Sequence, residues 1–278
     1  MRIMVTNDDG ISSVGLHHLA RAMTRHGEVV VIAPDREFSG AGAAVGAIHL
    51  MRPEVHEAHV DGIAEAWAVS GPPALCTFFA RLGAFGDPFD LVVSGINPGA
   101  NVGRSVYHSG TVGACLTARN GGINGVAVSQ AVTGWGVEGQ GWDDMIAGQH
   151  WATAAAVADA FVEGLLAGGL PSDPVVANLN VPNVPLDEIR GWARTVVEDE
   201  PIRAMSKAVL HPIEGQIGSY SVEMSYGAPI DLPPHTDGGA VEAGLVSVSY
   251  LTRLAADGRT DLADAEAALA GILPVGRG

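Results

Sequence analysis

Short apolar segments of strand character alternate with segments of helical periodicity through the first two-thirds of the chain, and no other feature restricts the fold as much. "IMVT" (residues 3–6), "EVVVIAP" (28–34), "FDLVVSG" (89–95), "INGVAVS" (123–129) and "PVVANLNVP" (174–182) read as strands. Between them, "SSVGLHHLARAMTRHG" carries Val14, Leu16, Leu19, Ala20 and Met23 at helical spacing, with Gly27 closing it. "PPALCTFFARLGAFG", "TVGACLTARNGG" and "DDMIAGQHWATAAAVADAFVEGLLAGG" are three further helices, the last a single long one over 143–169. Residues 47–70 read as short antiparallel strands with polar turns. Strands separated by helices of this length predict an α/β fold: a mostly parallel sheet with helices on both faces. Right-handed crossovers then place all the strand carboxyl ends on one edge, where ligands bind in such sheets.

From about Pro182 onward the pattern is irregular. "WARTVV", "SYSVEMSY" and "LVSVSYL" are β-like, and "DLADAEAALAGIL" closes the chain as a short helix. The expected organisation is a core over residues 1–182, followed by a β-rich segment over 183–278 that returns to it and serves oligomer contacts.

Three loops leave strands at the expected ligand edge. The first, "NDDG", sets the carboxylates of Asp8 and Asp9 side by side. It is open to two readings: a solvated turn in which Asp8 caps the helix starting near Ser12, or a pair that holds a hard cation. The second, "APDREFSGAG", presents the hydroxyl of Ser39 among small residues. The third, "SGINPGANVGRSVYHSGTVG", has glycines that let backbone approach a ligand, and Asn97 and Asn101 offer amide groups. It opens a helix whose first turn carries Ser109 and Thr111, either as an ordinary N-cap or as an anion site made by unpaired N–H groups. Together the three loops suggest a cation held by oxygen ligands, facing an anion-binding helix end.

Charge narrows the partners. Lys plus Arg number 15 against 31 Asp plus Glu, a net charge of -16. That surface repels nucleic-acid duplexes and anionic membranes. The single lysine, Lys207, is in no glycine-rich phosphate loop, so positive charge for a phosphate must come from helix ends, arginines or a metal ion. No apolar run suffices for a membrane span, no basic-then-apolar leader opens the chain, and Cys76 and Cys115 read as buried reduced thiols. A cytoplasmic location is the expectation.

Other constellations are weaker. His49, His56 and His59 read as surface histidines on a hairpin rather than a zinc site. His17 and His18 diverge on their helix, and Asp143–Asp144 reads as helix capping. Cys76 has no identifiable base to activate it. His108, beside Ser109, is a candidate for proton transfer or phosphate contact, with an ordinary loop histidine as the competing reading.

Four motifs in order, "MRIMVTNDDG", "VVVIAPDREFSGAG", "DLVVSGINPGANVG" and "YHSGTVGA", resemble the SurE family of survival proteins, metal-dependent 5′/3′-nucleotidases and acid phosphatases acting on nucleoside monophosphates. The resemblance spans about residues 1–181, with an echo in "TDGGAVEAGLVSVSYL". It implies a Rossmann-like core, a C-terminal part that builds homodimers or homotetramers, and one Mg²⁺ or Mn²⁺ per subunit. The metal ligands it implies are Asp8, Asp9, Ser39 and Asn97, with Asp8 and Asp9 catalytic. The phosphate loop it implies is Asn101, Ser109, Gly110 and Thr111. The chain departs from the family at Ala43 and Ala44, where His-Ser is usual, and at Pro72 and Leu75, where "GTPADC" becomes "GPPALC". "TVVEDEPIRAM" is acidic where a basic stretch is usual. Phosphomonoester hydrolysis is the expected activity. The alternatives are a nucleotide- or metal-binding protein without turnover, and a metal-dependent transferase on a similar sheet.

Overall fold

The computed structural model describes residues 1–46, 48, 50, 52–132, 146–199, 203–252 and 261–273. Among these, eleven strands form two sheets. The main sheet has nine strands in the order β3-β4-β2-β1-β5-β6-β7-β11-β8. They are β1 (Arg2–Thr6), β2 (Glu28–Pro34), β3 (Val55–Glu57), β4 (Glu65–Val69), β5 (Leu91–Pro98), β6 (Asn124–Gln130), β7 (Val176–Val181), β8 (Trp192–Arg194) and β11 (Val246–Leu251). The six strands from β4 to β7 run parallel. β3 pairs antiparallel with β4, and β11 antiparallel with β7.

Strand order reverses between β1 and β5. From β1 the chain moves to β2 and β4 on one side; from β5 it moves to β6 and β7 on the other. The loops leaving β1 and β5 therefore part in opposite directions and open a crevice at their carboxyl ends. "NDDG" and "GANVG" open those two loops.

Alternating strand residues feed two cores. Ile3 and Val5 face α1 (Val14–Met23) and α4 (Trp151–Ala167), where Leu16, Leu19, Met23, Ala154, Ala158 and Val162 are buried. Met4 faces the other side, where Cys76 and Ala80 of α2 (Pro73–Arg81) and Ala118 of α3 (Gly110–Asn120) pack with Val30, Ile32 and Val92. Each large apolar side chain fully buried here contributes on the order of 2 kcal/mol. Both cysteines are buried and free, and burial pushes their thiols well above the ordinary range.

Some local expectations are corrected. The short antiparallel strands expected over 47–70 are present as the pair β3–β4, and β4 also joins the parallel sheet beside β2. The helix expected over 143–169 is broken: residues 147–148 turn, 149–150 are irregular, and α4 begins at Trp151. Asp143 and Asp144 lie outside the described residues, as does His49. His56 and His59 are exposed and pair with Glu54 and Asp61, as surface histidines do.

The last third adds β8 and β11 to the main sheet, together with α5 (Asp237–Glu242) and α6 (Ala263–Ala270). It also forms a separate antiparallel hairpin, β9 (Arg203–Pro212) with β10 (Tyr220–Pro229). Ala208, Leu210 and Pro212 stand opposite Met224, Val222 and Tyr220 and share one apolar face. Lys207, His211, Ser221 and Glu223 lie on the other face, where His211 and Glu223 pair at 2.7 Å. Leu210, Val222, Met224 and Tyr220 are all more than half exposed. No helix among the described residues is long and apolar enough to cross a membrane.

Candidate active site

Asp8 does not cap the helix that follows it. That helix begins at Val14 behind Ser13, with no side-chain cap. The Asp8 carboxylate instead crosses the crevice to the first turn of α3. Gly110 N–H donates to its Oδ2 at 3.1 Å, and Thr111 Oγ1–H donates to its Oδ1 at 2.5 Å. Ser109 is the N-cap of that helix and accepts from Val112 N–H at 3.1 Å. The helix end thus meets a carboxylate, as its unpaired N–H groups and dipole favour. Gly110 has no alternative: a Cβ there would stand 2.7 Å from Asp8 Cβ.

The second loop docks onto the same place. Phe38 N–H donates to the Asp8 carbonyl at 2.7 Å, which places exposed Ser39 one residue beyond this anchor. Gly42 N–H donates to the His108 carbonyl at 2.9 Å. Gly113 lies so close beneath this loop that a Cβ would be 2.1 Å from the Gly42 carbonyl oxygen. His108 therefore joins the two loops through its backbone, while its side chain is exposed. Ala43 and Ala44 are exposed in that docked loop. Pro72 and Leu75 lie at the start of α2: Pro72 is its N-cap residue, and Leu75 is fully buried. Their departures from the family bear on how α2 begins and packs.

Asp9 is different from its neighbour. Its Oδ2 is buried without a hydrogen-bond partner among the described residues, as is Asn7 Oδ1. Burial first, then the negative charges of Asp8 and Glu37, push its carboxyl up to about 8. Burial also pushes Asp8 up, opposed by the hydrogen bonds from Thr111 and Gly110. Two adjacent carboxylates, Asp8 buried and Asp9 half-buried with one buried, unpartnered oxygen, are costly as they stand.

A hard divalent cation fits this donor set. Carboxylate oxygens, the Ser39 hydroxyl and the Asn97 amide oxygen are the ligands Mg²⁺ and Mn²⁺ prefer. Asn97 lies in β5, and its Nδ2 donates to the Gly99 carbonyl at 2.7 Å, a bond that does not use its Oδ1. Among the described residues no group of three or more His, Cys, Asp or Glu is placed to hold a metal, so a zinc-type site is not formed there.

Asn101 is buried and held on several sides. Its N–H donates to Asn180 Oδ1 at 2.7 Å, and its Nδ2 donates to Ser129 Oγ at 2.8 Å. Its carbonyl accepts from Asn178 Nδ2 at 2.9 Å and Asn180 Nδ2 at 3.2 Å. Two residues on, Gly103 N–H donates to Asp237 Oδ2 at 2.9 Å. Sequence reasoning missed Asn178, Asn180 and Asp237. The signal was present in "ANLNV", where asparagines alternate with apolar residues on a strand buried on both faces.

The family model described as "Survival protein SurE" matches residues 3–203. The curated protein "5'-nucleotidase SurE" of Aeromonas hydrophila is 35% identical, over 91% of this chain and 92% of its own. The protein of the same description from Legionella pneumophila (strain Philadelphia 1) is 36% identical over 90% of each chain, and that from Geobacter metallireducens 38% over 70% of each. The crystal structure of the SurE protein from Aquifex aeolicus superposes with a TM-score of 0.74 at 28% identity, over 97% of this chain and 100% of that one. The chain belongs to the SurE family.

Proposed function

We propose that this chain is a metal-dependent phosphomonoester hydrolase that acts on nucleoside monophosphates, a 5′-nucleotidase. The observation that carries the reading is the Asp8 carboxylate docked on the Gly110–Thr111 helix end, with the unpartnered Asp9 oxygen beside it. The curated relatives named 5'-nucleotidase support it.

Asp8, Asp9, Ser39 and Asn97 would hold one Mg²⁺ or Mn²⁺ per subunit. When bound, the cation supplies positive charge that polarises a phosphoryl group and stabilises charge growing on its oxygens. Asn101, Ser109, Gly110 and Thr111 would orient the remaining phosphoryl oxygens: the Asn101 amide and the Ser109 hydroxyl as donors, and the first turn, whose Gly110 N–H and Thr111 hydroxyl hold Asp8, through the positive end of its dipole. Both Asp8 oxygens already accept hydrogen bonds, so Asp8 is the fixed member of the pair. Asp9, with an oxygen free, is the group that orients an attacking water or takes its proton. His108 lies at the rim, where it can protonate the leaving oxygen.

Residues 183–278 form an oligomerisation segment in this reading, making a homodimer or homotetramer. The half-exposed apolar face of the β9–β10 hairpin supports that, because a two-stranded hairpin with one open apolar face gains stability by packing against another surface. Buried reduced Cys76 and Cys115 support a cytoplasmic location.

The test is phosphate release from a panel of nucleoside monophosphates with Mn²⁺ or Mg²⁺, against the same reactions in EDTA. Release that needs the ion and prefers nucleotides over a simple aryl phosphate is expected. Nucleotide binding by calorimetry without release would contradict hydrolysis and leave a binding protein. Phosphate delivered to a second acceptor rather than to water would identify a transferase.

A further inference from the structure

The loop that leaves β5 must return across the crevice to start α3. Its sequence, "GANVG", has few side chains able to anchor it by packing, and ordering its backbone costs about 1–2 kcal/mol per residue. Polar clamps hold it instead. The Asn180 amide reads both main-chain groups of one residue: Oδ1 accepts from Asn101 N–H at 2.7 Å, and Nδ2 donates to the Asn101 carbonyl at 3.2 Å. Asn178 adds a second donor to that carbonyl. With its main chain fixed, Asn101 gives one amide hydrogen to Ser129. Its Oδ1 and second amide hydrogen are left for other partners.

These supports stand at positions a sheet of this type normally fills with apolar residues. Asn178, Asn180 and Ser129 are fully buried, and asparagine is disfavoured in strand interiors. A buried amide is also costly unless its hydrogen bonds are made. Ala177, Leu179 and Val181 of the same strand pack into the apolar core on the opposite face, so the polar identity is confined to the face beneath Asn101.

We propose that Asn180 is a positioning residue for phosphate binding: by clamping both backbone groups of Asn101 it aims the Asn101 amide at the phosphoryl oxygens. This rests on the reading that Asn101 contacts phosphate. The effect is predicted to run through the Asn101 side chain and to spare the cation ligands: Asp8, Asp9 and Ser39 lie on other segments, and Asn97 is held inside β5 by its pairing with β6.

The experiment uses the Mn²⁺-loaded full chain. Phosphate affinity by calorimetry, KM and kcat for a nucleoside monophosphate, and Mn²⁺ affinity are measured for wild type, Asn180→Ala, near-isosteric Asn180→Asp and Ser129→Ala. Each is repeated with Asn101→Ala. Asn180→Ala and Asn180→Asp are expected to weaken phosphate binding by about tenfold, the scale of one or two lost hydrogen bonds, and to raise KM more than they lower kcat. Mn²⁺ affinity should stay at the wild-type value, and in the Asn101→Ala background the Asn180 substitutions should have no further effect on phosphate. If Asn180→Ala does not fold, Asn180→Asp and Ser129→Ala carry the same test, Ser129→Ala by releasing the Asn101 amide. Wild-type phosphate affinity in Asn180→Asp, a loss that persists undiminished with Asn101→Ala, or a parallel loss of Mn²⁺ affinity would overturn the proposal. Failure of the underlying reading has its own sign: Asn101→Ala alone binds phosphate as wild type does, and the positioning role falls with it.

Discussion

Gly110 gives Asp8 both a hydrogen bond and the space it occupies. The residues are far apart in sequence, yet the glycine N–H lies 3.1 Å from Asp8 Oδ2, and a Cβ on the glycine would stand 2.8 Å from that oxygen. The start of α3 and the end of β1 are thereby fitted to each other.

Gly110→Ala should therefore displace the Asp8 carboxylate. Overpacking of this kind costs about 1–3 kcal/mol, which urea denaturation would register. Moving a group that sets the reacting geometry should lower kcat/KM by about 100-fold or more. Gly164→Ala is the control. That glycine lies within α4 with open space around it, so alanine should stabilise the protein by about 0.5–1 kcal/mol and leave activity unchanged.

Asp9→Asn keeps shape and removes one charge of the pair. Excess Mn²⁺ should raise the melting temperature of wild type, because a ligand that binds only the folded state stabilises it. The variant should show little of that rise, and its phosphate release should fall by about 100-fold or more. Thermal melts with and without the ion check the first expectation and steady-state assays the second.

The pH dependence follows from the Asp9 carboxyl, held at about 8 against an ordinary value of 3.8. Between those values the folded, metal-free protein carries a proton that the unfolded chain has lost. Stability of the metal-free protein therefore falls as pH rises through that window. A cation needs the carboxylate, so its binding expels the proton, and its affinity should climb from pH 6 to pH 8. Denaturation in EDTA and Mn²⁺ titrations at several pH values test both directions. Asp9→Asn should flatten the stability trend.

The hairpin face gives a prediction independent of chemistry. Leu210→Glu with Val222→Glu places two carboxylates on the exposed apolar face of β9–β10. Light scattering after gel filtration should show a smaller assembly than wild type. The main sheet, which does not include this hairpin, should keep its circular dichroism.

Local pattern made much of this architecture legible. β1, α1, β2, β5, α3, β6 and β7 follow from apolar periodicity, and "NDDG" and "SGTVG" lie at the strand and helix ends that this pattern predicts. What stayed hidden is non-local. Nothing near Asp8 in sequence says that its carboxylate caps a helix beginning at Gly110 rather than the next one. The break at 147–150 inside an otherwise helical pattern was also missed, although Gly148 and Gln149 lie there. β4 is the arm of the antiparallel β3–β4 pair that its pattern suggests, but its second pairing, parallel with β2 across a crossover, leaves no local signal. The Asn178 and Asn180 alternation was visible, but its purpose depends on a loop from another strand.

The most direct measurement is a crystal soaked with Mn²⁺ and phosphate, with anomalous data collected at the manganese edge. One anomalous peak per subunit is expected within coordination distance of Asp8, Asp9, Ser39 and Asn97, with phosphate oxygens facing Asn101 and the first turn of α3. A peak elsewhere, or phosphate bound away from that helix end with the Asp pair unoccupied, would contradict the account.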